Sequence, residues 1–227
     1  MGSQARVALA LNPVPAGGSS AIDIAVNDTG SIPPRLSREA ASRPIAGPSD
    51  RRLIKAAQNG SEAALEALYR RHWPIAHRAA YLVVHDRAAA EDIAQEAFLS
   101  AVRSLDRFDR RRPFGPWLHR IVVNRAIDWG RAKRLRGELS SDPETHPEAV
   151  DRRGSPGPEP SSPISEDVGE ALAALDPERR AIVVLRYLLE FTPGEIAAAL
   201  EIPRGTVNSR LRRALDELGE RLEGSER

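Results

Sequence analysis

The feature that most constrains the fold of this chain is a proline-rich interruption between two long stretches of helix-forming residues. Residues 137–167, which read "GELSSDPETHPEAVDRRGSPGPEPSSPISED", contain six prolines, and these forbid a long helix there. Eight acidic residues against two arginines leave this stretch with six net negative charges. We therefore expect two separately folded parts joined by an acidic, extended linker.

The stretches on either side of this interruption have the composition of helices. Aromatic residues make up only 4% of the chain, and alanine and leucine abound, a balance that favours helix over strand. We predict an all-α protein of two helical domains joined by a flexible linker, the C-terminal domain containing a helix-turn-helix. The predicted parts are a disordered N-terminal extension at 1–49, a helical domain at 50–136, the linker at 137–165, a helical domain at 166–222 and a tail at 223–227.

Several classes of function are disfavoured by composition and missing motifs. The chain has no cysteine, which excludes disulfides and thiolate metal sites and fits a reducing cytoplasm. Its five histidines are scattered without metal-ligand spacing, so we expect no metal site and no cofactor. No apolar run approaches the roughly 18 residues of a membrane span, and no P-loop, G-x-S-x-G or H-E-x-x-H motif occurs. We expect a cytoplasmic protein that is not an enzyme and has no catalytic residues.

The C-terminal stretch "FTPGEIAAALEIPRGTVNSRLRRALDEL" reads as two short helices joined by a tight turn. Thr192 and Glu195 have the spacing of a T-x-x-E capping box, which predicts a helix that ends near Leu200. Upstream, Asp176 followed by Pro177 predicts another helix start. The last helix carries an inward apolar stripe at helical spacing. The stripe consists of Val207, Leu211 and Leu218, with either Ala214 or Leu215 between the last two.

The outward face of this last helix is polar and basic near its start. In a helix-turn-helix the first helix braces the second, whose early residues reach base edges, and Arg and Asn hydrogen-bond guanine and adenine there. The alternative is an antiparallel helix hairpin with a solvated arginine face. The helix lengths, the turn and the placement of the arginines favour DNA binding. The outward residues are Arg204, Asn208, Ser209, Arg212 and Arg213.

The N-terminal helical part runs from Asp50, with breaks predicted at Asn59-Gly60 and at Pro74. Within it, "AAAEDIAQEAFLSAVRSLDRF" has an inward stripe typical of an amphipathic helix. The stripe consists of Ala94, Ala97, Phe98, Ala101, Val102 and Leu105. The opposite, polar face carries Asp92, Gln95, Glu96, Leu99 and Arg103. Single exposed leucines are common on protein surfaces, so Leu99 alone does not establish a docking role.

The next segment, "RFDRRRPFGPWLHRIVVNRAIDWGRAKRLR", is strongly basic. Between Arg103 and Arg136, eleven basic residues against three acids give a net charge of +8, which is typical of nucleic-acid binding. One long helical stripe there is mostly cationic. It consists of Arg120, Asn124, Ile127, Arg131 and Arg134.

Aromatic residues stand among the arginines just before and within this basic helix. Phe108, Phe114 and Trp117 lie in or beside a loop with proline and glycine, a mixture that binds unstacked bases by stacking. The alternative is that Trp117, Ile121 and Trp129 belong to the core and the arginines are merely solvated. We expect the tryptophans to be mostly core, and we expect the charged stripe to contact DNA.

Taken in order, these motifs resemble those of an extracytoplasmic-function (ECF) sigma factor of bacterial RNA polymerase. The motifs are "AEDIAQEAFLSAVRSLDRFD", "FGPWLHRIVVNRAID", the acidic linker and "LDPERRAIVVLRYLLEFTPGEIAAALEIPRGTVNSRLRRA". The resemblance covers roughly residues 50–136 and 166–222 and is far more specific than the helix-turn-helix alone. It implies a subunit that binds core polymerase, directs it to promoters and assists strand opening.

The resemblance also implies three groups of site residues. The residues implied to dock on the clamp helices of the polymerase largest subunit are Asp92, Gln95, Glu96 and Leu99. Binding of the minus-ten promoter element falls to Arg120, Asn124, Arg125, Arg131 and Arg134, with Asn124 at the pocket for a flipped base. Binding of the minus-thirty-five element falls to Arg204, Asn208, Ser209, Arg212 and Arg213. Members of this family are commonly held inactive by an anti-sigma protein, and nothing in these residues identifies such a partner.

The chain departs from the family pattern at two places. Glu201 stands where many relatives have the glycine of the helix-turn-helix, and a left-handed conformation costs a non-glycine residue about 1 kcal/mol, so we expect a differently built turn. Asn208 stands where relatives often carry a basic residue, which predicts a different promoter preference. The alternative function is a free-standing helix-turn-helix regulator that binds duplex DNA and never joins polymerase.

Overall fold

The computed structural model describes residues 49–139 and 166–225, which form helices and turns without any strand. The predicted fold class, all-α with two helical domains and a helix-turn-helix in the second, is confirmed. The remaining residues, 1–48, 140–165 and 226–227, lie outside the described part. The predictions of a disordered extension, of nearly all of the linker and of the end of the tail fall on them.

The N-terminal domain is built on a long central helix, α2, against which the other helices of the domain pack. The side chain of Ser61 accepts a hydrogen bond from the Ala64 amide and begins α2, and Asp86 caps α3 in the same way. Alanines line the facing sides of α2 and α3, so that the two helices approach closely. The helices are α1 (Asp50–Gln58), α2 (Glu62–Val84), α3 (Arg87–Ser104) and α4 (Phe114–Leu139), with a 3-10 turn at Leu105–Arg107.

Two predictions about these helices are wrong. Pro74 does not break α2, which continues through it. Pro74 is exposed, so the carbonyl freed by its missing N–H can reach water. The halves of α2 before and after Pro74 both contribute buried residues to the core. Val102, predicted to face inward, is 44% exposed because it lies at the edge of the buried stripe beside Leu99. The basic helix α4 also extends to Leu139, three residues past its predicted end.

The C-terminal domain follows the predicted local signals closely. Asp176 accepts a hydrogen bond from the Arg179 amide, with Pro177 at the first helical position, as predicted. The capping box is also confirmed: Thr192 accepts from the Glu195 amide, and Glu195 accepts from the Thr192 amide at 2.8 Å. The inward stripe of the last helix is buried, including both Ala214 and Leu215. The helices are α5 (Glu166–Ala174), α6 (Pro177–Val183) with a π-helical turn at Val184–Leu188, α7 (Pro193–Leu200) and α8 (Arg204–Ser225).

The two domains pack against each other, which the sequence did not predict. Helices α2 and α4 contact α5, α6 and α7. The buried guanidinium of Arg180 donates to the Val83 carbonyl of the N-terminal domain at 2.7 Å, and to the Ala173 and Leu175 carbonyls at 2.7 and 2.8 Å. Burial lowers the pKa of Arg180 to about 10, although the Asp176 carboxylate opposes this. The guanidinium therefore remains charged at neutral pH and joins the C-terminal ends of α2 and α5.

Candidate docking and nucleic-acid interfaces

The predicted site residues lie on three helices, one group on each. We call these groups the acidic face, on α3, the basic face, on α4, and the recognition face, on α8. The acidic face consists of Asp92, Gln95, Glu96 and Leu99. The basic face consists of Arg120, Asn124, Arg125, Arg131 and Arg134. The recognition face consists of Arg204, Asn208, Ser209, Arg212 and Arg213.

On the acidic face, Leu99 belongs to a larger apolar surface. Its side chain is 55% exposed and, with Gln95, lines an open groove of about 400 Å³ between α2 and α3. Tyr69, 39% exposed, packs its ring against Phe98 at a centroid distance of 5.0 Å. The apolar groove residues are Leu65, Leu68, Tyr69, Phe98, Leu99, Val102, Leu105 and Phe114. Polar and acidic side chains thus border an accessible apolar patch, the usual anatomy of a protein–protein interface.

The groove residues on α2 were missed by the sequence reasoning. A four-residue repeat of Leu65, Tyr69 and Trp73 puts these side chains on one side of a helix, and the first two line the groove. The Tyr69 and Trp73 rings stack at 4.9 Å. This repeat was a sequence signal for an apolar surface on α2. The packing of α2 beside α3 shows that this surface adjoins the one around Leu99.

Four of the five residues of the basic face make described polar contacts with residues outside α4. Arg125 Nη1 lies 2.6 Å from Glu96 Oε2, so the basic face and the acidic face share an ion pair. Arg120 Nη2 lies 3.1 Å from Glu201 Oε1. The Asn124 amide donates to the Ala199 carbonyl at 3.2 Å.

Arg131 contacts a carboxylate of the C-terminal domain with two of its nitrogens. Its Nη2 and Nε donate to Glu178 Oε1 at 2.6 and 3.0 Å, and Arg210 binds the other oxygen of the same carboxylate. The hydrogen bond from Arg131, aided by the charges of both arginines, lowers the pKa of Glu178. Glu178 is therefore an anion at neutral pH and bridges the two domains. Sequence reasoning did not identify Glu178 or Glu201, since no local pattern connects them to α4.

The prediction that the phenylalanines before the basic helix stack on bases is wrong. Phe108 and Phe114 are both buried, and their rings meet edge-on at 5.9 Å. Trp117 is partly buried and lies 4.6 Å from the Phe108 ring. Trp117, Ile121 and Trp129 all pack against the core, as the alternative interpretation expected. Burial of these rings stabilises the hydrophobic core. It leaves the two phenylalanine rings little exposed surface for stacking on bases.

On the recognition face, four of the five side chains are exposed. Ser209 is the exception, because it is partly buried and its hydroxyl donates to the Thr206 carbonyl at 3.0 Å. The turn before α8 has a left-handed residue, the conformation that favours glycine: Glu201 adopts φ 55° and ψ 39°. The amides of Glu201 and Ile202 both bond to the Ala197 carbonyl. The expectation of a differently built turn is therefore wrong, and the strain of a left-handed non-glycine residue is present.

Replacing Glu201 by glycine should relieve this strain. We expect Glu201→Gly to raise the free energy of unfolding by about 1 kcal/mol relative to Glu201→Gln, because only glycine adopts φ near +55° without a steric cost. Glu201→Gln is the matched control, since it also removes the charge that pairs with Arg120 but keeps the Cβ. Urea denaturation of both variants measures the difference. Equal stabilities would show that the turn carries no strain.

Among the residues of the two described ranges, no group of three or more His, Asp or Glu side chains is placed to hold a metal ion. No helix in those ranges is both long enough and apolar enough to cross a membrane.

Two family models match the chain, one in each domain. Residues 68–136 match the model "Sigma-70 region 2", and residues 165–218 match "Sigma-70, region 4". Together the two matches cover more than half of the chain. The first contains the acidic and basic faces, and the second contains the recognition face.

Curated proteins with similar sequences are ECF sigma factors. SigE of Mycolicibacterium smegmatis is 34% identical over 72% of this chain, which spans 64% of the length of SigE. SigW of Bacillus subtilis is 30% identical over 76% of this chain and 96% of its own length. SigL of Mycobacterium tuberculosis is 32% identical over 71% of this chain and 90% of its own length.

Two similar solved structures are complexes. CnrH in complex with the cytosolic domain of CnrY shares 27% identity, with a TM-score of 0.53, over 77% of this chain and 97% of CnrH. The sigma factor RpoE in complex with the anti-sigma factor NepR, from Bartonella quintana, shares 25% identity, also with a TM-score of 0.53. That match covers 70% of this chain and 96% of RpoE.

Proposed function

The chain belongs to the ECF sigma factors of the sigma-70 family, as its ordered motifs predict, and from this membership we propose a role for each of its three faces. A sigma factor binds core RNA polymerase, directs it to specific promoters and assists strand opening. Sigma factors are regulators without catalysis of their own. In our proposal polymerase therefore supplies all of the chemistry, and the chain acts in the cytoplasm, where polymerase meets the chromosome.

The acidic face is the docking surface for the clamp helices of the polymerase largest subunit. Leu99 and Tyr69 supply exposed apolar area in the groove, which Glu66 and Gln95 also line. Asp92 and Glu96 supply exposed charge on the same helix as Leu99. Such an arrangement concentrates binding free energy in a few central residues, while the polar rim selects the partner. The observation that carries the proposal is this open apolar groove, most of whose residues lie within the region 2 match.

The basic face takes the non-template strand of the minus-ten element. Arg120, Arg131 and Arg134 follow one side of α4 and supply cationic groups for phosphates of the strand. Arg125, beside Glu96, adds charge from another side of the helix. Asn124 lies among these arginines, and its amide offers both a donor and an acceptor to the edge of a flipped base. Unstacking a base costs a few kcal/mol, which contacts to a preformed cationic surface offset.

The recognition face reads the minus-thirty-five element as duplex DNA. Its residues begin at the N-terminus of α8, which is where a helix-turn-helix contacts base edges in the major groove. Asn208 and the exposed arginines are suited to base contacts, whereas the Ser209 hydroxyl already bonds within its own helix. We assign Ser209 the smallest share of this contact.

Control by an anti-sigma protein is a further part of the proposal. RpoE, which shares the fold of this chain, was solved with the anti-sigma factor NepR. We propose that a protein of that class also binds this chain.

Association with core polymerase, followed by run-off transcription, tests the proposed function. Immobilised chain should retain purified bacterial core polymerase, and the complex should produce transcripts from promoter fragments on which core polymerase alone is silent. A free-standing regulator, the alternative function, would bind duplex DNA but retain no polymerase. Absence of both association and chain-dependent transcript would refute the proposal.

A further inference from the structure

The apolar groove between α2 and α3 is the main accessible apolar surface of the two described ranges. Of the five large apolar side chains that are exposed there, three line this groove: Tyr69, Leu99 and Val102. Contiguous exposed apolar surface marks a site of interaction. We propose that residues 6–11 of the same chain occupy the groove when polymerase is absent and compete with polymerase for it. This inference rests on the proposed function of the acidic face and adds its regulation.

The segment at 6–11 reads "RVALAL" and has the side chains that such a groove takes. Val7, Leu9 and Leu11 alternate with alanines, so in an extended segment the three larger side chains lie on one side. The groove has a volume of about 400 Å³, and sites of roughly 300–1,000 Å³ hold small organic ligands. It therefore has room for a short row of aliphatic side chains.

Charge favours residues 6–11 over the other apolar run in the N-terminal extension. Residues 1–22 contain one charged side chain, Arg6, whereas the run "AIDIAV" at 21–26 carries Asp23. The part of α3 that precedes Leu99 is acidic and exposed; its acids are Glu91, Asp92 and Glu96. Arg6 therefore meets unlike charge beside the groove, where Asp23 would meet like charge.

The chain enters the described structure close to the groove. Asp50 begins α1, and its Oδ2 lies 2.9 Å from His72 Nε2. The His72 ring meets the Phe114 ring edge-on at a centroid distance of 5.1 Å, and Phe114 lines the groove. The intervening residues 12–48 are rich in proline, glycine and serine, and a linker of that length spans on the order of 30–40 Å. Residues 6–11 are therefore within reach of the groove.

The tether allows a weak contact to fill the groove. A linker that reaches its site holds a segment there at an effective concentration on the order of 1 mM. A contact with a dissociation constant of about 0.1–0.5 mM would then occupy the groove in roughly 67–90% of molecules, which lowers the apparent affinity for polymerase three- to tenfold. Polymerase displaces the segment because it offers a larger interface.

Replacing apolar side chains of the segment tests this inference without altering the groove. We expect Leu9→Asp/Leu11→Asp, in the full chain, to bind core polymerase about three- to tenfold more tightly than the unaltered chain. The matched control is Ile22→Asp/Ile24→Asp, which removes two aliphatic side chains and adds two charges in the same extension. The control should keep the affinity of the unaltered chain. Titration against fluorescently labelled core polymerase measures both variants.

Occupancy of the groove is measured directly with a spin label. The chain has no cysteine, so Ala10→Cys attaches one nitroxide within the segment. We expect this label to broaden the NMR signals of the groove residues, and Leu9→Asp/Leu11→Asp to abolish the broadening. A label attached through Ala25→Cys should leave the same signals sharp.

Three results would overturn the inference. The first is sharp groove signals with the label at position 10, and the second is equal polymerase affinities of the two double variants. The third is broadening that grows with protein concentration, which would assign the groove to a second copy of the chain.

The two measurements also separate this inference from the proposed function. Polymerase binding without broadening of the groove signals would overturn the inference and leave the proposed function standing. Broadening without polymerase binding, in every variant and in the unaltered chain, would contradict the proposed function. The contact of residues 6–11 with the groove would then still stand.

Discussion

Simultaneous replacement of Asp92, Glu96 and Leu99 by alanine should weaken binding to core polymerase by at least about 100-fold. The three side chains supply the charge and an exposed apolar anchor of the acidic face, and central interface residues each contribute about 2 kcal/mol or more when truncated. These positions are exposed, so the variant should fold normally. Titration of the chain against fluorescently labelled core polymerase measures the change.

Two controls make this result specific to docking. Arg125→Gln breaks the same ion pair with Glu96 but leaves the acidic face intact, so it should retain core binding. The triple variant should also keep its affinity for duplex promoter DNA, because the recognition face lies on α8 in the other domain. Undiminished affinity of the triple variant for core polymerase would refute the docking assignment.

Replacement of Arg180 by methionine should lower the free energy of unfolding by about 3 kcal/mol. Methionine keeps much of the apolar stem but leaves the carbonyls of Val83, Ala173 and Leu175 without their donor. A buried polar group without a partner costs about 1–3 kcal/mol, and these carbonyls lie at helix ends, where no intrahelical partner exists. Chemical denaturation measured by circular dichroism gives the value.

The neighbouring arginine provides the comparison for this prediction. Arg179 is only partly buried and pairs with Asp176 and Glu217, so Arg179→Met should cost less than about 1 kcal/mol. Arg180→Lys should recover part of the loss, since lysine restores the charge but not the forked geometry of the guanidinium. Similar losses for Arg179→Met and Arg180→Met would mean that the buried hydrogen bonds do not hold the domain boundary.

Local chemistry explains why so much of the fold could be predicted. The caps at Asp176 and Thr192, and the inward stripe of α8, depend on residues within a few positions of one another. Such short-range patterns specify where helices begin and which face is buried. The grouping of site residues onto single helices follows from the same periodicity.

The errors and omissions all concern contacts between distant parts of the chain. Pro74 continues a helix whose two halves both contribute buried residues to the core, and Phe108 and Phe114 are buried in that core. Glu178 lies 47 positions from Arg131, and no sequence pattern connects them. The helices that carry the proposed site residues could therefore be predicted from sequence, whereas the contacts between the two domains could not.

The role of this chain as a promoter-specificity subunit is tested most directly by mapping transcript 5′ ends. Bacterial core polymerase would transcribe genomic DNA of the chain's own host, with and without the chain, and the ends would be sequenced. We predict a set of chain-dependent starts preceded by two shared sequence elements, at the minus-ten and minus-thirty-five positions. Identical starts with and without the chain would contradict the account.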